Sequence, residues 1–252
     1  MSESVRSVER ALDVLLCFTN QTPELSMTKI AELVGINKST VHRLLATLER
    51  KRFVERDPLT GLYRPGIRFL QVAYLTLEHN DLRRLAIPYM IQLCEQQREN
   101  VNLAILDDID VTYVHVMESP QRVKLAATSG QRLPAFCTAS GKAILAFIPE
   151  ENVKRILERG APQYTPRTLT SPQEFFKDLH LTRERGFAIS EQEFEDGINA
   201  IAAPIFDRNQ LPIASLSVAG PAYRLTRERM LAISPALLAT TREIAQAVDH
   251  LA

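Results

Sequence analysis

The stretch from Ser26 to Gly66 constrains this chain most, because it places two short helices, a glycine turn and a basic hairpin in direct succession. Ser26 can cap a helix over Met27–Val34, its hydroxyl accepting from the amides of the first turn, and Gly35 stops that helix. Asn37 is placed to cap a second helix, Lys38–Lys51, whose buried stripe is Val41, Leu44, Leu45 and Leu48. Its opposite face carries Lys38, Ser39, His42, Arg43 and Thr47. The following FVERDPLTGLYRPG reads as two strands, Phe53–Arg56 and Leu62–Arg64, around the turn-forming Asp57, Pro58 and Gly61.

Such an arrangement is a winged helix-turn-helix. A helix enters the major groove of DNA only if its leading face is short and can hydrogen-bond to base edges. Lys38, Ser39, Thr40, His42 and Arg43 meet that condition, and the guanidinium of Arg43 can bond both acceptors of a guanine at once. Arg56 and Arg64 stand near the ends of the wing, where they would meet phosphates or the minor groove. A lone helix-turn-helix pattern would say little, since any surface helix carries Lys and Arg; the four features in order say much more.

Charge agrees with a local rather than a general attraction to nucleic acid. The whole chain balances 30 basic against 30 acidic residues. Residues 26–68, by contrast, hold Lys29, Lys38, Arg43, Arg50, Lys51, Arg52, Arg56, Arg64 and Arg68 against Glu32, Glu49, Glu55 and Asp57, nine against four. Cys17, Cys94 and Cys137 are far apart, with no metal-ligand spacing, which suits a reduced cytoplasmic protein. Charges interrupt the N-terminal MSESVRSVERALDVLL, so no signal peptide is expected, and no segment reaches membrane-spanning length.

The 252 residues allow two domains. Val5–Phe18 is an amphipathic helix through Val8, Leu12, Leu15, Leu16 and Phe18, ended by Asn20, Gln21, Thr22 and Pro23. Ile67–Leu77 is a helix too, followed by His79, Asn80 and Asp81 and another helix, Leu82–Arg98. The boundary is expected near residue 79: a DNA-binding domain over 1–66, a linker helix over 67–80 and a second domain over 81–252. The second domain has mixed texture. Strands are expected at VNLAILD, VTYVHVME, VKLAA, Phe187–Ser190, Ala200–Phe206 and Pro212–Val218. Helices start near Ala139 and Glu150, cover Gln173–Arg185, and close the chain from Thr226 to about Leu251, with Pro235 kinking or interrupting the last.

The chain resembles the IclR family of bacterial transcription regulators over almost its whole length. SVERALDVLLCF, LSMTKIAELVGINKSTVHRLLATLERKRFVERD and YRPGIRFLQVA are similar to the family's winged helix-turn-helix and linker helix. RLPAFCTASGKAILA, DGINAIAAPIFD and LPIASLSVAGP are similar to its effector-domain motifs, in the same order. The resemblance implies an α+β chain: an N-terminal winged helix-turn-helix, a linker helix, and a C-terminal GAF-like α/β effector-binding domain. It also implies a dimer formed through the N-terminal helices, or a tetramer, on a pseudo-palindromic operator. Repression and activation stay alternatives. Cys137 stands where the family often has His, and Ala200 where many members have Cys or Ser, which argues against a pocket for glyoxylate. RLPAFCT with SEQEFEDG is closer to the branch that responds to aromatic acids and their ring-cleavage products.

In the second domain the sharp readings compete with plain ones. Gly141–Lys142 fails as a phosphate-binding loop, since no glycine stands five residues earlier and Ala143 replaces the Ser or Thr. A helix start at Thr138, Ser140 and Gly141 offers first-turn amides suited to a carboxylate. With the family alignment, Ser190, Glu191 and Ser217 line the remainder, and Ala200 and Ala219 give an apolar wall. The rest of SEQEFE reads as a solvated loop, and Cys137 as inert packing rather than a redox sensor. His42, His79, His115, His180 and His250 are scattered without acidic neighbours at ligand spacing, so neither metal, cofactor nor catalytic triad is expected. An enzyme would need a nucleophile beside its base, which the sequence lacks; a ligand-free interaction module is the remaining alternative.

Overall fold

A computed structural model describes residues 5–19, 22–78 and 81–249. The expected turn residues Asn20 and Gln21, the linker residues His79 and Asn80, and His250 and Leu251 lie outside the described residues. The chain forms two compact units that divide between residues 80 and 81.

The first unit runs α1 (Arg6–Leu16), α2 (Met27–Val34), α3 (Lys38–Arg50), β1 (Val54–Arg56), β2 (Tyr63–Pro65) and α4 (Arg68–Glu78). The Ser26 hydroxyl accepts from the Lys29 amide at 3.2 Å, and Gly35 ends α2 at φ +67°, a left-handed conformation that costs a glycine nothing. Asn37 does start α3, but without a side-chain cap: its backbone carbonyl accepts from the Thr40 amide at 2.9 Å instead. Val41, Leu45 and Leu48 bury the stripe of α3 against Val14, Ile30, Val54 and Tyr63. Full burial is worth about 1.5–3 kcal/mol for each such aliphatic side chain. β1 and β2 pair antiparallel, and Leu25 bridges to Tyr63 through reciprocal backbone bonds of 2.9 and 2.8 Å, tying the wing to the helices. The apolar stripe of α1 is only partly covered within the unit. Only Val14 is buried, while Val8, Leu12 and Leu16 face outward.

The second unit opens with α5 (Asp81–Gln97), then β3 (Asn100–Asp107), β4 (Asp110–Met117), β5 (Arg132–Pro134), α6 (Ala139–Leu145), α7 (Glu150–Glu158) and α8 (Pro172–Arg185). It closes with β6 (Ala188–Glu191), β7 (Ile198–Phe206), β8 (Pro212–Pro221) and α9 (Arg227–Asp249). All its strands join one six-stranded antiparallel sheet in the order β5-β4-β3-β8-β7-β6. This is the α+β arrangement that the motifs imply.

Because side chains alternate along a strand, each face of the sheet has its own set. Leu103, Ile201, Ala203, Ile205, Leu216 and Val218 pack beneath α5 and α9. The intervening Ala200, Ala202, Ser217 and Ala219 turn to the opposite face, towards α6 and the cavity described below. Two expectations need correcting. VKLAA is no strand: the edge beside β4 is taken by β5, and the segment crosses as a strap whose carbonyls accept from side chains, Leu125 from Asn100 Nδ2 at 3.2 Å and Val123 from Arg224 Nη2 at 2.9 Å. Pro235 does not interrupt the last helix, which continues through it as α5 does through Pro88.

Candidate functional sites

On the first unit, Lys38, Ser39, His42 and Arg43 are exposed on the leading turns of α3, and Thr40 is half-buried. At a helical rotation of about 100° per residue, Ser39, Arg43 and Ala46 stand opposite the buried Val41, Leu45 and Leu48. The small Ala46 leaves room for close approach. The wing arginines differ from one another. Arg56 lies over the Tyr63 ring, 5.7 Å from its centroid, and is exposed. Arg64 is already paired, with Glu55 on β1 at 3.5 Å and with Glu24 before α2 at 3.8 Å.

On the second unit a cavity of about 350 Å³ lies between the sheet face carrying Ser217 and Ala219, the start of α6, the 124–127 strap and the loop after β6. Of the residues expected around an effector, Thr138, Ser140, Ser190, Ala200, Ser217 and Ala219 line it. Gly141 and Glu191 do not. The amide of Gly141 is already bonded to the Thr138 hydroxyl at 3.3 Å, and a Cβ there would stand 2.0 Å from the Ala135 carbonyl oxygen. Gly141 is therefore required for close packing of α6, which is buried along its whole length among small residues. Glu191 pairs with Arg227 on α9.

The cavity's polar groups are largely pre-ordered. Thr138 Oγ1 donates to the Pro134 carbonyl at 2.9 Å, Ser190 Oγ to the Cys137 carbonyl at 3.2 Å, and Asn102 Nδ2 to Ser217 Oγ at 3.3 Å. Burial pushes the Tyr113 phenol up to about 12, against a lowering hydrogen bond with Ser140. The Cys137 thiol is pushed up to about 12, first by burial and then by Glu193, so it stays protonated at neutral pH. Tyr113, Lys124, Gln131, Phe194 and Glu195 also line the cavity and went unrecognised in the sequence. The period-two pattern of VTYVHVME could have placed Tyr113; Lys124 and Gln131 lie on the strap and the turn after it, where no periodicity applies.

Beneath the cavity is a second departure. Lys142 is wholly buried, its Nζ bonded to the Ile189 carbonyl at 2.6 Å, Glu193 Oε1 at 2.6 Å and Asp178 Oδ2 at 2.9 Å. Glu193 is therefore no part of a solvated loop. Burial raises its pKa despite Lys142, and its backbone carbonyl accepts from Thr168 Oγ1 at 2.6 Å. The lysine that superficially suggests phosphate binding instead fastens α6, α8 and the loop after β6 together. Among the described residues no His, Cys, Asp and Glu are grouped to hold a metal ion, and no helix is long and apolar enough to cross a membrane.

Comparison with known proteins covers both units. Residues 7–58 match the IclR helix-turn-helix domain and residues 74–249 the bacterial transcriptional regulator IclR C-terminal domain. The glycerol operon regulatory protein of Streptomyces coelicolor is 33% identical over 99% of this chain and 97% of its own length. The transcriptional repressor IclR of Escherichia coli is 31% identical over 95% of this chain and 89% of its own. An IclR transcriptional regulator from Alicyclobacillus acidocaldarius superposes with a TM-score of 0.87 at 30% identity, covering 97% of this chain and 99% of that one. With a helix-turn-helix unit, a cavity-bearing second unit and family matches across both, the chain belongs to the IclR family of bacterial transcriptional regulators.

Proposed function

We propose that this regulator acts in the cytoplasm and controls catabolic genes in response to a small organic acid, aromatic or ring-derived, held in the cavity of the second unit. Residues 1–66 would then be the DNA-binding domain, 67–80 the linker helix and 81–252 the effector-binding domain of a homodimer or homotetramer on a pseudo-palindromic operator. The carrying observation is the cavity's lining. Thr138 and Ser140 stand at the start of α6, where helix geometry leaves first-turn amides without intrahelical acceptors. The facing wall is apolar, through Leu125, Phe194, Ile198, Ala200 and Ala219. A carboxylate at one end of a flat apolar body suits that pairing, at a volume within the ordinary range for small-molecule sites.

An acid shifts the DNA-binding heads only if it binds two arrangements of the protein with different affinity. The test is calorimetry with benzoate and glyoxylate, alongside release of DNA fragments selected by the protein. Benzoate-class acids should bind and change DNA occupancy. Ala200→Glu, which puts a carboxylate into the cavity, should abolish that response and leave unliganded DNA binding intact. An unchanged response in Ala200→Glu would place the effector elsewhere.

A further inference from the structure

The first unit carries a basic feature away from the wing, beside the outward face of α3 and sharing Arg43 with it. A groove between α1 and α3 is lined by Arg6, Ser7 and Arg10 on one wall and Thr40, Arg43 and Thr47 on the other. Helical spacing builds both walls: Arg6 and Arg10 are four residues apart, and Thr40, Arg43 and Thr47 recur at three and four. Arg6 and Arg43 are exposed and Arg10 is half-buried. Among the described residues none of the three guanidiniums has an ion-pair or hydrogen-bond partner for its side chain. The acidic residues of α1 stay out of the groove: Glu9, between the two arginines in sequence, is not among its lining, and Asp13 opens onto a different recess with Leu16 and Cys17. Three like charges in a groove lined by no carboxylate repel one another, so the groove is complementary to an anion from outside.

We propose that this groove is a second DNA contact, a clamp in which Arg6 and Arg10 hold the phosphodiester backbone that flanks the major groove entered by α3. The proposal rests on α3 being the recognition helix. Arg43 stands on the border between the outward face and this groove, so the backbone beside the base pair it reads is the part of the duplex within reach of α1. The lining chemistry agrees. Guanidiniums with neighbouring hydroxyls are what proteins turn towards phosphate oxygens. The Ser7 and Thr40 hydroxyls serve here, while Thr47 donates to the Arg43 carbonyl at 2.9 Å. The occupant is a phosphate rather than a base, because α1 lies beside α3 and outside its leading face. The contact adds affinity without sequence preference.

Counterion release makes the proposal measurable. The probe is a labelled random-sequence duplex, titrated with wild type, Arg6→Ala/Arg10→Ala and Arg6→Lys/Arg10→Lys at several salt concentrations. Each lost phosphate contact flattens the log–log salt slope by about 0.9, so the alanine variant should lose about 1.8 for each bound head. Its affinity deficit should shrink about 12-fold between about 50 and about 200 mM salt. The lysine variant should recover the wild-type slope, since a point charge suffices for phosphate. An alanine variant with the wild-type slope overturns the clamp. So does a loss that lysine fails to rescue, or one that appears in sedimentation as a changed oligomeric state, which would assign the arginines to a second copy of the chain. Wild type showing no salt-dependent DNA binding would instead remove the recognition-helix reading, and the two failures are thereby distinguished.

Discussion

Replacing Lys142 by Met would leave the buried carboxylate of Glu193 without its cation. Glu193 is 7% exposed, and its side chain meets Lys142 Nζ at 2.6 Å. Asp178 is more open and keeps Arg185 at 3.9 Å, so most of the cost falls on Glu193. Removing one partner of a buried pair typically costs about 3–5 kcal/mol. The partial compensation of Asp178 puts Lys142→Met at the lower end, about 3 kcal/mol at pH 8, or roughly 6–12 °C in Tm for a domain of this size. The sign of the pH dependence follows from proton uptake. Burial already raises the folded pKa of Glu193, so the folded state binds more protons than the unfolded state above the ordinary carboxylate range, and this group's contribution falls as pH rises through that window. Without Lys142 the folded pKa goes higher and the window widens. Lys142→Met should therefore be much less destabilised at pH 5 than at pH 8, as measured by urea unfolding. Lys142→Met/Glu193→Leu should recover most of the loss, because an apolar replacement of both partners is often neutral. A single variant as stable as wild type at pH 8, or a double variant no better than the single, would refute the reasoning.

Arg43→Ala should cost about 1–3 kcal/mol of binding to selected DNA and relax preference at one base position, measured by selection from randomised duplexes. Arg64→Ala should cost less and act on all sequences alike, since Glu55 and Glu24 already hold that charge. Gly141→Ala should fail to give a folded second unit, or lower its Tm steeply, because the added carbon meets backbone at Ala135. Cys137 should resist alkylation at pH 8 in the native protein and react after unfolding, since its thiol is pushed up to about 12.

The first unit is legible in sequence because each of its devices is local. Ser26, Gly35 and the Val41–Leu48 stripe act within one or two turns, and the structure uses each as read. Asn37 starts α3 through its backbone carbonyl, which accepts from the Thr40 amide, and its side chain makes no cap. The second unit is legible in its strands and less so in its connections. VKLAA has the composition of a strand, yet its carbonyls are met by Asn100 and Arg224, residues far away in the chain. Lys142 and Glu193 stand 51 residues apart, and no local pattern announces that they meet. Gly141 invites a ligand by its motif, while its true constraint is the backbone of Ala135 against which α6 packs.

The alternation along β7 and β8 has an evolutionary consequence. Leu216, Val218 and Ile201 serve the core, while Ser217, Ala219 and Ala200 on the same strands serve the cavity. A substitution in the second set changes what the cavity admits without disturbing the packing under α5 and α9. Stability and selectivity are thus written in alternate letters of the same strands, and one can be rewritten while the other is conserved. A fold built this way can alter its cavity by a few point changes on an unchanged scaffold, which suits a family whose members govern different operons.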